Sequence, residues 1–209
     1  MTILVATGNA GKAAELKEML DVGVELVSLL DFPGIGEIEE DGATFAENAR
    51  KKALGYAKAT GLWTIADDSG LVVDALGGAP GVRSARFSGA KEKDRALLDH
   101  KNMAKVLKLL EGVPAEKRTA RFVCCVCLAS CQEVLAETQG TLEGYIAEEP
   151  AGENGFGYDP IFFVPGLGKT VAQLSREQKN AISHRGQAVR KLVSLLRPMV
   201  NAKNGGGGT

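Results

Sequence analysis

Apolar residues along this chain switch repeatedly between runs that suit strands and i, i+3, i+4 spacings that suit helices. Thr2 to Ala6 reads as a first strand. It leads through Thr7-Gly8-Asn9-Ala10-Gly11-Lys12 into a helix carrying Leu16, Met19 and Leu20 on one side, with Asn9 as its N-cap. After a loop around Pro33 and Gly34, Thr44-Phe45-Ala46-Glu47 has capping-box spacing and predicts a second helix running to Gly61. Leu62-Trp63-Thr64-Ile65-Ala66 then reads as a short buried strand ending on Asp67 and Asp68, with a turn at Ser69-Gly70. A third helix is predicted from Asp94 to Glu111, and several strands between Ala120 and Val164, with turns at Gly140 and Gly144. The last helical region, Arg176 to Arg197, starts from a capping box at Ser175 and Gln178 and breaks near Ser183. This alternation predicts an α/β fold built on a mixed sheet.

At 209 residues the chain can bury a sizeable core, and residues 1–200 are read as one domain of two lobes. Residues 201–209, ending in Asn204-Gly205-Gly206-Gly207-Gly208-Thr209, are read as a disordered Gly-rich tail. Twenty-five basic and 26 acidic residues nearly cancel, whereas a protein gripping a nucleic-acid polymer usually carries a basic excess. Any phosphate bound is therefore expected to belong to a small molecule. No apolar run approaches the roughly 20 residues that span a bilayer, and no signal-peptide pattern opens the chain, so a cytoplasmic protein is expected. All four cysteines lie between Cys124 and Cys131 in a strand-like segment. Cys124 and Cys127 project from opposite faces of a strand and cannot share one zinc. The four are read as buried small apolar residues in a reducing compartment.

The residue types that suggest chemistry fall in separate stretches. Gly8 to Lys12 departs from the P-loop pattern, because only two residues separate its glycines and Ala13 follows the lysine. A Gly-containing turn into a helix N-terminus beside Lys12 is nonetheless suited to an anion. Asp67 and Asp68, adjacent on a strand, must face opposite ways, one into a site and the other bracing a loop. On the second helix Asn48 and Lys52 share a face with Phe45, Ala49 and Tyr56, where polar groups require partners. The acidic stretch Glu37-Ile38-Glu39-Glu40-Asp41-Gly42 offers a second carboxylate for magnesium, which takes one or two from a protein. The loop from Gly152 to Pro160 sets Phe156 and Tyr158 near Asp159 between glycines, a composition able to hold a planar ring. His184 and Arg185 stand as either ligand contacts or helix-surface residues, and His100 as a surface residue.

Taken as an ordered set, Thr7 to Lys12, Thr44 to Ala49, Ala66 to Ser88, Gly155-Phe156-Gly157-Tyr158-Asp159-Pro160 and Ile182-Ser183-His184-Arg185-Gly186 resemble the inosine triphosphate pyrophosphatase family. The resemblance runs from about Ile3 to Leu196. It implies an elongated, curved mixed sheet flanked by helices, two lobes with a central cleft, and a homodimer. It also implies magnesium-dependent cleavage of nonstandard purine nucleoside triphosphates (ITP, dITP, XTP) between the α- and β-phosphates, which keeps them out of DNA and RNA.

By position the resemblance makes Asp68 the general base and a metal ligand, and Glu39 the second ligand, with Glu40 as the alternative. Thr7, Gly8, Asn9, Ala10, Gly11, Lys12 and Lys52 are implied to hold the triphosphate, and Ser69 to touch substrate. Phe156, Gly157, Tyr158, Asp159, Lys179, His184 and Arg185 are implied to frame the nucleotide, mostly its base. A donor such as Arg185 facing the purine 6-oxo group favours inosine, xanthosine and guanosine over adenosine, and rejection of GTP requires a further device at the purine 2-position. Two other readings fit the same residues: a related nucleotide pyrophosphatase of different base preference, and a non-catalytic nucleotide-binding module.

Overall fold

The computed structural model describes residues 1–205, and among these the apolar pattern forms seven strands and five α-helices. The strands are β1 (Thr2–Val5), β2 (Glu25–Ser28), β3 (Trp63–Val73), β4 (Thr119–Ala129), β5 (Val134–Ile146), β6 (Phe162–Val164) and β7 (Lys169–Thr170). The helices are α1 (Ala10–Met19), α2 (Phe45–Thr60), α3 (Arg95–Leu109), α4 (Arg176–Ile182) and α5 (His184–Gly205). One open sheet runs in the order β2-β1-β3-β4-β5-β6-β7. Strand β1 pairs in parallel with β2 and β3, setting Ile3 beside Leu26 and Leu4 beside Thr64, whereas β6 pairs antiparallel with β5 and β7. The sheet is therefore mixed, as the alternation of elements predicts.

By compactness the described residues form two units. The first comprises residues 1–68, 124–140 and those described from Arg185 onward. Its core joins Ile3 and Val5 of β1, Ile65 of β3 and Val126 and Leu128 of β4 to Leu16 of α1 and Val189, Leu192 and Leu196 of α5. The second comprises residues 69–123 and 141–184. Its core joins Leu71 and Val73 to Val106 of α3, Leu110 just beyond that helix, Phe122, Ile161 and Phe162.

The helix starts follow their sequence signals. Asn9 Oδ1 accepts from the Lys12 N–H, Thr44 and Glu47 close a capping box, and Ser175 and Gln178 close another. Gly61 ends α2 in the left-handed conformation, at φ 72°. The break expected near Ser183 falls there: this residue is extended (φ −64°, ψ 153°), so α4 stops and α5 begins at His184.

Three expectations are corrected. Ser69 and Gly70 make no turn. Strand β3 runs through them, because Leu71 and Val73 beyond are buried at 0% exposure in the second core and carry the strand onward. Gly140 and Gly144 likewise lie within β5. At Gly144 a Cβ atom would stand 2.4 Å from the Phe163 carbonyl oxygen and 2.6 Å from the Phe162 ring, so this glycine permits a close strand approach rather than a bend. Residues 201–205, read as part of the tail, continue α5, and residues 206–209 lie outside the described residues. Among the described residues no helix is long and apolar enough to cross a membrane.

Candidate active site

In the first unit β1 delivers the chain to the Asn9-capped start of α1, where Asn9 also donates its own N–H to Thr7 Oγ1 at 3.2 Å. Gly8 is exposed and Gly11 half-buried in this turn, leaving backbone amides of the helix N-terminus near the surface. Lys12 places its Nζ 3.0 Å from Asp67 Oδ2. The two aspartates of β3 diverge as pleating requires. Asp67, 1% exposed, meets Lys12, the Arg185 guanidinium at 3.4 Å and the Cys124 thiol at 3.9 Å. Asp68 accepts from Asn48 Nδ2 at 3.0 Å.

Helix α2 supplies the polar residues expected on its buried face. Asn48 is fully buried, taking the Gly42 N–H on Oδ1 at 2.8 Å while donating to Asp68. A Cβ at Gly42 would fall 2.7 Å from that oxygen, so only glycine lets the acidic loop lie this close. Lys52 donates to the Asp67 carbonyl at 2.6 Å and pairs with Glu40 Oε1 at 3.2 Å. The loop is further tied to α2 by the Ile38 N–H, which donates to Tyr56 Oη at 3.3 Å. Glu40 is thus the acid turned toward the site, and Glu39 is exposed.

These surroundings drive the two carboxyls apart. Burial penalises the charged form of Asp67, yet Lys12, Arg185 and Lys52 together outweigh that and hold its carboxyl well below the usual range. For Asp68 burial prevails over Lys52, Lys12 and Asn48, and nearby Glu40 adds to it, so this carboxyl is raised. Asp67 is a fixed anion, and Asp68 is the stronger base. Asp68 with Glu40 or Glu39 offers an all-oxygen donor set suited to magnesium, which needs few protein carboxylates. Among the described residues no group of three or more His, Cys, Asp or Glu side chains is placed to hold a metal without further donors.

In the second unit Gly155 (φ 80°) and Gly157 (φ 64°) bend the Gly155–Asp159 loop. A Cβ at Gly155 would sit 2.1 Å from Asp159 Oδ2. That oxygen accepts the Phe156 N–H at 2.9 Å and the Lys179 ammonium at 2.8 Å, and Lys179 stands 4.4 Å over the Phe156 ring. Tyr158 donates its hydroxyl to the Ser84 carbonyl at 2.8 Å, and burial pushes its phenol up, keeping it a donor. Asp99 of α3 accepts the Gly157 N–H at 3.0 Å and pairs with Arg95. His184 stacks on Phe122, with ring centroids 4.8 Å apart. Ser69 is half-buried on β3.

Lys12, Lys52, Asp67 and Asp68 are therefore brought together in one unit, and Phe156, Gly157, Tyr158, Asp159 and Lys179 lie together in the other, which also holds His184. Arg185 falls in the first unit, 2% exposed, with its guanidinium between Glu15 of α1 and Asp67. Sequence reasoning missed Glu15 and Asp99. Each acts across a long stretch of chain, 170 residues to Arg185 and 58 to Gly157, and neither carries a local motif. Cys131 is exposed and corrects the expectation of four buried cysteines, because the bend at Ser130–Glu133 takes it out of β4.

Comparison with known proteins identifies the family and the fold. Residues 3–195 match the model of the Ham1 family. The chain is 52% identical over 197 residues to a protein of Desulforamulus reducens named dITP/XTP pyrophosphatase, covering 94% of this chain and 96% of that protein. Its fold matches a HAM1 protein from Coxiella burnetii with a TM-score of 0.84 at 43% identity, over 94% of this chain and 98% of the other. A nucleoside-triphosphatase / dITP/XTP pyrophosphatase from Mycobacterium abscessus matches with a TM-score of 0.74 at 48% identity, over 92% and 98% of the two chains. A family match across nearly the whole chain, together with the same fold in relatives of this identity, means that the chain belongs to the Ham1 family.

Proposed function

We propose that this protein hydrolyses nonstandard purine nucleoside triphosphates, dITP, ITP and XTP, to the nucleoside monophosphate and pyrophosphate. The observation that carries this reading is the buried Asp67–Asp68 pair flanked by Lys12, Lys52 and the capped N-terminus of α1. The names of the relatives support the substrate class.

In this reading the residues from Thr7 to Lys12, with Lys52, hold the triphosphate. Lys12 and Lys52 supply charge, and the start of α1 supplies amides. Asp67 keeps the Lys12 ammonium in place, and its carbonyl does the same for Lys52. Asp68, raised by burial and oriented by Asn48, takes a proton from the attacking water. The water oxygen forms the new bond to phosphorus while the oxygen bridging the α- and β-phosphates leaves on pyrophosphate. Asp68 with Glu39 or Glu40 would hold magnesium, which would neutralise phosphate charge and lower the pKa of water. The exposure of Glu39 and the Glu40–Lys52 pair favour Glu40. No covalent nucleophile takes part.

Phe156, Gly157, Tyr158, Asp159, Lys179 and His184 frame the nucleotide, mostly its base, and Ser69 touches the substrate. Arg185 donates to the purine 6-oxo group. A guanidinium has five N–H donors, so it can serve the base while its pairs with Glu15 and Asp67 fix its plane. The protein works as a homodimer in the cytoplasm, binds no nucleic-acid polymer and no membrane, and keeps nonstandard bases out of DNA and RNA. The near balance of charge supports that exclusion of polymers.

The test is pyrophosphate release with magnesium from ITP, dITP, XTP, GTP and ATP, compared by kcat/KM. The reading expects strong turnover of the first three over the last two, with Asp68→Asn abolishing turnover while keeping nucleotide binding. Flat turnover across all five points to a related pyrophosphatase. Binding without turnover in the native protein points to a non-catalytic module.

A further inference from the structure

In the second unit the chain turns sharply after α3, and a cavity of about 630 Å³ opens between the end of that helix, the turn at Glu111–Pro114 and the start of β4. Leu107, Leu110, Val113 and Pro114 make its apolar wall. Arg118 also lines it, and this residue is anomalous. It is only 5% exposed, and its Nε is buried with no hydrogen-bond partner among the described residues. Among the described residues its one ion pair, to Glu148 Oε1, stands at 3.9 Å, and the Glu148 side chain is 77% exposed.

A guanidinium carries five donors and stays charged at any physiological pH. Burying it with its Nε donor unmet and its counter-ion at the limit of contact is costly, and a distant, solvated glutamate offsets little of that cost. The backbone at Arg118 is held on both sides. Its N–H donates to the Ala115 carbonyl at 3.1 Å, and its carbonyl accepts the Ile146 N–H at 2.9 Å. The cavity is within the size range of small-molecule sites, about 300–1,000 Å³. None of its residues belongs to the set assigned to the nucleotide.

We propose that this cavity binds a small molecule with one oxyanion head, a carboxylate or a phosphate monoester, and a short apolar body. The head pairs with the Arg118 fork, a geometry that planar and tetrahedral oxyanions both satisfy. The body lies on Leu107, Leu110 and Val113. Glu148 is the exchangeable partner that the ligand displaces.

The experiment titrates hexanoate and hexyl phosphate into the full chain carrying methyl-labelled Leu and Val, with hexanol as the control that lacks the head. Saturable shifts are expected at Leu107, Leu110 and Val113, with hexanol weaker by about tenfold or more. Arg118→Gln should weaken both anions by a similar factor. Glu148→Gln, at an exposed position that leaves the fold intact, should tighten them by about two- to fivefold. Binding of only one anion identifies the head group and upholds the site. If Arg118→Gln fails to fold, the Glu148→Gln gain decides the matter. Hexanol binding as tightly as the anions, or no saturable shift in either the native protein or Glu148→Gln, overturns the proposal.

Discussion

Replacing Asp67 by Asn tests whether a buried carboxylate organises the first unit. The substitution keeps the shape and one acceptor oxygen but removes the charge that faces Lys12 at 3.0 Å and Arg185 at 3.4 Å. Breaking a buried ion pair on one side costs about 3–5 kcal/mol, because the opposite charge is left uncompensated. Here Arg185 retains Glu15 and the Lys12 side chain is partly exposed to water, so the lower end, about 3 kcal/mol, is expected. For a chain of this size each kcal/mol moves the melting temperature by about 2–4 °C, giving a fall of about 6–12 °C at pH 7.

The pH dependence fixes the cause. The Asp67 carboxyl is depressed in the folded state, so its contribution is complete above the unfolded value, about 3.9. Below that the unfolded chain binds the proton first, and stability is lost at about 1.4 kcal/mol per pH unit. The gap between native protein and variant should therefore be constant from pH 7 to 5 and narrow below about 3.9 at that slope. Urea unfolding from pH 3 to 7 measures it. A gap that is absent at neutral pH, or equally wide at pH 3 and pH 7, refutes the assignment of Asp67 as a charged anchor.

Other consequences are equally concrete. Asp99→Ala removes the acceptor of the Gly157 N–H, so KM for ITP should rise by about tenfold with kcat nearly unchanged, whereas Asp99→Asn, which keeps an acceptor oxygen, should retain most affinity. Steady-state kinetics of both variants decides this, and equal loss in the two contradicts it. Gly144→Ala forces a methyl against the Phe163 carbonyl and the Phe162 ring, neither of which can give way, and should cost about 1–3 kcal/mol in a urea titration. Burial pushes the Cys125 thiol up to about 11 and that of Cys127 to about 12, and Cys124 is fully buried, so at pH 8 a disulfide reagent should label the exposed Cys131 alone. Thiol counting in native buffer and in urea separates one reactive group from four.

How legible each element was follows from the range of the interaction that made it. Asn9, Thr44 and Ser175 cap their helices through groups three residues away, so a short window of sequence holds the whole signal. The buried face of α2 was equally plain, because helical periodicity alone puts Asn48 and Lys52 among apolar neighbours. Ser69-Gly70 and Gly144 misled for the opposite reason. Their composition favours turns, but what decides them is a second core beyond Gly70 and a neighbouring strand against Gly144, both formed by residues remote in sequence. The Glu15–Arg185 pair is the extreme case, since Glu15 alone reads as an ordinary helix-surface charge and Arg185 alone as either a ligand contact or a surface residue.

The adjacent aspartates show how one dipeptide yields two functions. Both are nearly fully buried, and burial alone would raise both carboxyls. Strand geometry sends one side chain toward Lys12 and Arg185 and the other toward Asn48, so the fixed cations decide the first and burial decides the second. Two carboxyls whose environments drive their affinities for protons apart are the arrangement from which a permanent anion and a proton acceptor can be built. A pair in which both faced lysines would bind phosphate lysines firmly but accept protons poorly. A pair in which both faced neutral donors would leave Lys12 without its anchor. The alternation of a strand is the least costly way to obtain one of each from consecutive residues, and it requires Asp67 and Asp68 to be non-interchangeable despite their identical chemistry.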